Sequence, residues 1–320
     1  MDVRVGVDIG GTKIAAGVVA EDGTMLGEAQ RETPAQDADL IATAVAEVVA
    51  ELSDVAAQQG DVVESVGVAC AGFIDRAGET VVFAPNLAWR DEPLKARLEE
   101  VTGLPVVLEN DANAAAWGEF RFGAGRDVDD MLLITLGTGV GGGVIVDGQL
   151  LRGAHGMGAE VGHIRVVPDG YRCGCGNKGC WESYASGSAL VREAQALVAG
   201  GSPHAGALAD RCGGDPEALT GTMVTEVAQA GDPAATELLE DLGRWTGEGA
   251  ASLAAVLDPG LIVIGGGVSA AGDLVLQPAR SAFARQLTGR GHREITPVVL
   301  AELGNRAGMI GAADLAARRS

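Results

Sequence analysis

The chain has 320 residues, with 44 Asp plus Glu against 23 Lys plus Arg, a formal net charge of −21. Hydrophobic residues at 47% and charged ones at 21% are those of a globular chain long enough for two lobes, which excludes wholesale disorder. Phosphate contacts need clustered Lys and Arg, so non-specific nucleic-acid or anionic-membrane binding is excluded too, and an anionic ligand must be held by backbone groups or a metal.

The amino-terminal MDVRVGVDIGG has no charged segment leading into an apolar one, so a cytoplasmic protein is expected. Val3 to Val7 is a β-branched run ending at Asp8. IGGTK then turns the chain into a second strand, Ile14 to Ala20, closed by Glu21-Asp22-Gly23. Leu40, Ile41, Ala44, Val45, Val48, Leu52 and Val55 recur at helical spacing between Asp37 and Gln59, with Gly60 after them. Ser65 to Ala71 reads as a buried strand, Pro93 to Thr102 as a helix closed by Gly103, and Val106 to Leu108 as a strand leading to Glu109-Asn110-Asp111 and a helix over Ala112 to Phe120. Strands alternating with helices predict a largely parallel sheet.

A variation follows. Met131 to Ile134 is apolar, LGTGVGGG turns, Val144 to Val146 is apolar, and Asp147-Gly148 turns again. A strand, a Gly-Thr-Gly loop, a strand and a hairpin thus occur twice, which predicts two related lobes. Asp232-Pro233 opens a helical stretch to about Leu257, interrupted in pattern by Gly243, Gly247 and Gly249; Leu261 to Ile264 is a strand before Gly265-Gly266-Gly267, and Gly304 to Arg318 a final helix.

Glycine-rich bends let consecutive backbone N–H groups approach a phosphate. Gly10-Gly11-Thr12, Gly137-Thr138-Gly139 and Gly265-Gly266-Gly267 are such bends, though each alone is equally a tight turn. Asp8, at the carboxyl end of the first strand, is placed to hold magnesium beside a phosphate or to serve as a turn acceptor. Lys13 can neutralise a terminal phosphate or stay solvated. The sharpest signal is Cys173-Gly-Cys175-Gly-Asn-Lys-Gly-Cys180 below Glu160-Val-Gly-His163: three thiolates and an imidazole complete a closed, structural tetrahedral zinc site, with His155 as the competitor for the fourth position. Asp111 reads either as a helix N-cap or as a general base. Glu160 and Glu182 read as polyol acceptors or as surface acids. Trp89 and Trp181 read as sugar platforms or as packing, and Cys70 and Cys212 as buried thiols.

DIGGTK at 8–13, LGTGVGGG at 136–143, EVGH at 160–163 and CGCGNKGCWE at 173–182 resemble, in this order, the phosphate and zinc signatures of the ROK group of sugar kinases and repressors, and within it of bacterial glucokinases. IGGG at 264–267 resembles the group's adenosine-side loop. The resemblance spans essentially the entire chain. It implies an α/β, actin-like (ribonuclease-H-like) fold, with residues 1–115 and 303–320 in a small lobe and 116–302 in a large lobe, around a nucleotide and sugar cleft. It implies transfer of the γ-phosphoryl of MgATP to the 6-hydroxyl of glucose, with ATP, magnesium and structural zinc bound and Asp111 as the catalytic base. Gly72, Asn110, Asp111, Glu160, His163 and Glu182 would hold the sugar. Asp8, Gly10, Gly11, Thr12, Lys13, Gly137, Thr138, Gly139, Gly265 and Gly266 would hold the nucleotide and its metal, and His163, Cys173, Cys175 and Cys180 the zinc. A homodimer or homotetramer is implied. The rival readings are a kinase for N-acetylhexosamine, mannose or fructose, a polyphosphate-dependent glucokinase, and a non-catalytic sugar-binding protein. Seven residues before Asp8 are too few for a helix-turn-helix, so a repressor is not expected.

Overall fold

The computed structural model describes residues 2–84, 87 and 89–319. From the amino terminus come β1 (Asp2–Ile9), β2 (Lys13–Val19), β3 (Met25–Glu32), α1 (Ala38–Gln58) and β4 (Val62–Cys70). A small sheet, β5 (Phe73–Ile74), β6 (Val81–Phe83) and β7 (Arg90–Glu92), precedes α2 (Leu94–Thr102), β8 (Val106–Asn110) and α3 (Asp111–Phe122). Then follow β9 (Met131–Leu136), β10 (Val140–Val146), β11 (Gln149–Leu150), α4 (Glu182–Ala185), α5 (Gly187–Ala199), α6 (Gly206–Arg211), α7 (Gly221–Gln229), α8 (Pro233–Leu257), β12 (Leu261–Gly265), α9 (Asp273–Gln286), β13 (Val298–Leu300) and α10 (Ala307–Arg319). No helix among the described residues is long and apolar enough to cross a membrane.

The two large sheets have the same plan. One runs β3-β2-β1-β4-β8 and the other β11-β10-β9-β12-β13, each a three-stranded meander beside two further strands. This is the doubled α/β arrangement of the actin-like fold. The expectation of a largely parallel sheet needs correcting: in the first sheet β1–β2 and β2–β3 pair antiparallel while β1–β4 and β4–β8 are parallel, and in the second β9–β12 and β12–β13 are parallel while β10–β11 is antiparallel. The reason is length, because parallel neighbours need a crossover of about a dozen residues or more, and neither the IGGTK bend nor the Glu21–Gly23 turn provides one. The LGTGVGGG turn also shrinks to residues 137–139, since Gly141 to Gly143 already belong to β10. The turn at Asp147-Gly148 holds φ of 50° and 69°, the left-handed pair that a two-residue hairpin requires and that Asp-Gly supplies.

β1 contributes Val3, Val5, Val7 and Ile9, all fully buried, to a core completed by Ile41, Val45, Val48 and Leu52 of α1. Asp37 caps α1 by accepting from the N–H groups of Asp39 and Leu40. Trp89 and Trp181 are buried packing residues, 1% and 0% exposed, and Trp181 Nε1 donates to the Trp245 carbonyl at 2.8 Å; neither presents a face to a sugar.

α8 runs unbroken for 25 residues through its three glycines. Those glycines are contacts, not breaks: a Cβ on Gly247 would lie 2.1 Å from the Ala279 carbonyl oxygen of α9, and one on Gly249 2.1 Å from the Trp181 ring. Gly247→Ala is therefore expected to cost about 1–3 kcal/mol through overpacking. The measurement is a thermal melt: the midpoint should fall by several degrees with helical circular dichroism retained, and an unchanged midpoint would contradict the close approach.

The chain divides into two compact units, Met1–Asp129 with Gly143–Ala159 and Glu302–Ser320, and Asp130–Gly142 with Glu160–Ala301. In the first, the fully buried Glu119 on α3 accepts from the N–H groups of Ala124, Glu302 and Leu303, which anchors the return of the chain into α10.

Candidate active site

In the first unit the chemistry gathers at the carboxyl ends of parallel strands, where ligands of open α/β sheets bind. Asp8 on β1 lies level with Ala69 on β4 and Glu109 on β8. The Asp8 carboxyl is pushed up to about 6, chiefly by burial and then by the charge of Asp111, with Lys13 opposing. Burial also raises Asp111, against the Ala112 N–H that donates to its Oδ1 at 2.9 Å. An Asp111 carboxylate near enough to raise Asp8 gives this end of the sheet two acids that together suit a cation. The bend before them is pinned, since the Gly10 N–H donates to the Lys13 carbonyl at 3.0 Å and the Thr33 hydroxyl to the Gly10 carbonyl at 2.7 Å.

The helix cap at α3 is Asn110, whose side chain accepts from the Asn113 N–H. The N-cap reading of Asp111 is thereby corrected: Asp111 is the first residue of the helix, so another side chain satisfies the exposed N–H there and leaves one Asp111 oxygen uncommitted to capping. Asn110 Nδ2 donates to the Gly72 carbonyl at 3.2 Å, which brings two of the sugar candidates together.

In the second unit the Gly137 N–H donates to the Gly139 carbonyl at 3.0 Å, and the Gly187 N–H to the Gly137 carbonyl at 2.7 Å, with Thr138 exposed at the tip. Glu182 closes this bend from the other side, since its Oε2 accepts from the Val140 N–H at 3.0 Å and a Cβ on Gly139 would meet that oxygen at 2.1 Å. Gly265 ends β12, and Gly266, at φ 84°, is pressed against Leu136 at the end of β9. Glu160 precedes the short turn Val161–His163.

His163, Cys173, Cys175 and Cys180 place their donor atoms within 4.8 Å of one another. Cys175 and Cys180 sulfurs are 3.6 Å apart, and Cys173 Sγ lies 3.6 Å from His163 Nδ1. A tetrahedral zinc with sulfurs at about 2.3 Å sets them about 3.8 Å apart, so the donor set fits that metal. Burial pushes the Cys173 and Cys180 thiols up, which a cation reverses by drawing off the protons. The competitor His155 lies outside this group. Because Nδ1 faces the sulfurs, His163 keeps Nε2 for another partner.

Residues 4–319 match the model of the ROK family. The chain belongs to the ROK family. Glucokinases are among its near relatives: that of Streptomyces coelicolor is 48% identical over 316 residues, spanning 99% of this chain and 98% of the relative, and that of Halalkalibacterium halodurans is 40% identical over 311 residues, spanning 96% and 92%. Among solved structures, a ROK family glucokinase from Streptomyces griseus in complex with glucose and AMPPNP is similar at 51% identity, with a TM-score of 0.90 and 99% of each chain covered.

Sequence reasoning passed over Glu109 and Arg152. Glu109 is 5% exposed. Its Oε1 accepts from the Asn110 N–H at 3.2 Å and Asn113 Nδ2 at 3.1 Å, while Oε2 accepts from Arg152 Nε at 2.7 Å. Its one sequence signal was adjacency to Asn110-Asp111. Arg152, 43 positions away in the chain, had none.

Proposed function

We propose that this ROK protein is an ATP-dependent glucokinase that transfers the γ-phosphoryl group of MgATP to the 6-hydroxyl of glucose. The observation that carries the reading is the half-buried Asp111 at the end of a parallel strand, relieved of capping by Asn110 and facing a second carboxylate at Asp8. To the sugar we assign Gly72, Asn110, Glu160, His163 through Nε2, and Glu182. To the phosphates we assign Gly10, Gly11, Thr12, Lys13, Gly137, Thr138 and Gly139, and to the adenosine Gly265 and Gly266. Backbone N–H groups carry much of the phosphate charge, which suits a chain short of Lys and Arg. Asp8 is the residue that would hold magnesium, whose bound charge offsets that of the phosphates. Asp111 accepts the proton of the attacking 6-hydroxyl as the new O–P bond forms and the bond from the γ-phosphorus to the β-phosphate oxygen breaks, with ADP as the leaving group.

His163, Cys173, Cys175 and Cys180 would hold a structural zinc, which supplies rigidity and no chemistry. Three cysteines as metal ligands and two buried thiols, Cys70 and Cys212, suit the reducing cytoplasm. A coupled assay across glucose, mannose, fructose and N-acetylated hexosamines, with ATP and polyphosphate as donors, tests the assignment. Glucose with ATP should give the highest kcat/KM, and a higher value for another pair replaces it.

The state of Asp111 adds a pH signature. A base must be deprotonated, and burial raises its pKa, so kcat/KM should fall with decreasing pH through a midpoint above the ordinary Asp value of about 3.9. A rate that stays level down to that value would remove Asp111 from the role.

A further inference from the structure

Three segments of the first unit are joined by side chains in a closed circuit. Asn110 Nδ2 reaches the Gly72 carbonyl at 3.2 Å, Asn110 Oδ1 accepts from the Asn113 N–H at 3.1 Å, and Asn113 Nδ2 donates to Glu109 Oε1 at 3.1 Å. Glu109 Oε2 takes the Arg152 Nε–H at 2.7 Å. The next residue along, Gly153, offers its carbonyl to Arg76 Nη1 at 2.9 Å, and Arg76 stands two residues after β5, on the segment that began with Gly72. The loop carrying Arg152 presses on the same segment, because a Cβ on Gly156 would lie 2.4 Å from the Ile74 carbonyl oxygen.

We infer that Arg152 is a positioning residue for phosphoryl transfer: through Glu109 it fixes the Asn110–Asp111 turn, and so the catalytic carboxylate, without touching substrate. This deepens the glucokinase reading and rests on its assignment of Asp111. The physical argument has two parts. Glu109 is 6% exposed in its side chain and sits level with Asp8, beside Asp111. An anion there, without a cation, turns towards water or away from its carboxylate neighbours. Arg152, 26% exposed, supplies that cation. With Oε2 so occupied, Oε1 stays on the Asn110 N–H and on Asn113, and Asn113 in turn fixes the cap that sets where α3 begins. Asp111 is the first residue of that helix, so its direction follows from the latch. The reacting hydroxyl and its base must meet within hydrogen-bond reach, and a displacement of about 1 Å caused by a change distant from the chemistry can cost about 10²-fold in rate.

The test compares Arg152→Ala, Arg152→Lys, Glu109→Gln and the double variant Arg152→Ala/Glu109→Gln by kcat, by KM for glucose and ATP, and by melting temperature. Arg152→Ala should lose about 10- to 10²-fold in kcat while KM for ATP stays within a few-fold and the protein remains folded at the assay temperature. Arg152→Lys should recover part of the loss, since one charged donor to Oε2 suffices. The double variant should lose less than the product of the two single losses, because with Glu109 neutral there is no charge left for Arg152 to hold. An unchanged kcat in Arg152→Ala, or losses that multiply, would overturn the inference. Should Arg152→Ala fail to fold, Arg152→Lys is compared with Arg152→Gln: a higher kcat for Lys at equal melting temperature supports the latch, and equal rates overturn it. Wild-type turnover of glucose is the separate control. If the wild type prefers another hexose, the substrate assignment falls and the same series is read on that sugar.

Discussion

Asp111→Asn should bind glucose within a few-fold of the wild-type affinity and turn over about 10²–10⁴ times more slowly, the usual share of a positioned general base. The substitution keeps shape and an oxygen for the Ala112 N–H, which donates to Oδ1 at 2.9 Å, so the start of α3 should survive. What it removes is a proton acceptor. Phosphoryl transfer leaves the protein little covalent chemistry, and most of the acceleration comes from positioning and charge stabilisation, so a residue of activity should persist. Asp8→Asn makes the contrasting case. Its carboxyl is raised by burial and by Asp111, and its loss should raise the magnesium concentration needed for half-maximal rate, whereas Asp111→Asn should not. Calorimetric glucose titration beside a coupled assay reads both. Near-normal turnover of Asp111→Asn would transfer the base role elsewhere, and a loss of glucose binding equal to the loss of rate would make Asp111 a binding residue only.

Elements with strong periodicity were legible in the sequence: α1 from its apolar stripe closed by Gly60, β1 from its β-branched run, β9 from its apolar run, and the two-lobe repeat from paired glycine bends. β3 was missed because MLGEAQRE lies at a sheet edge and is polar on alternate positions. The small β5–β6–β7 sheet escaped because strands of two and three residues carry no period. The glycines break the sequence pattern of α8 because helix propensity penalises glycine by about 1 kcal/mol, while the contacts that require them, with α9 at Gly243 and Gly247 and with the Trp181 ring at Gly249, are tertiary. The same divide runs through the site. Cys173, Cys175 and Cys180 announced themselves by local spacing, and Asp111 by its place between strand and helix. Glu109 and Arg152 meet only through the fold, and a buried acid is indistinguishable by sequence from the many exposed ones of so acidic a chain.

Loss of the proposed zinc should produce the other large effect, and in binding more than in chemistry. Between Ile164 and Trp181 the backbone is held by a few turns and two isolated bridges, Arg165 with Cys180 and Arg172 with Lys178. So irregular a segment needs a cross-link, and the four donors within 4.8 Å provide a place for one. A closed four-ligand site can contribute folding free energy directly, about 10–16 kcal/mol in zinc-finger peptides at neutral pH. Glu182 stands two residues beyond Cys180, with Oε1 3.6 Å from Cys173 Sγ and Oε2 on the Val140 N–H at 3.0 Å, so slackening of the segment must reach the Gly137–Gly139 bend through that carboxylate. Purified protein is expected to carry about one zinc per chain, the stoichiometry of a closed tetrahedral site. Cys180→Ser, or chelation under mild denaturant, should abolish that content, lower the melting temperature and raise KM for glucose by about 10- to 100-fold, the range seen when the groups that orient a metal-bound histidine are disturbed. Asp111, the proposed base, belongs to the other compact unit, so kcat at saturating glucose should fall far less than KM rises. A metal-free preparation with unchanged KM and melting temperature would show that the cysteines need no ion to keep Glu182 and His163 in place.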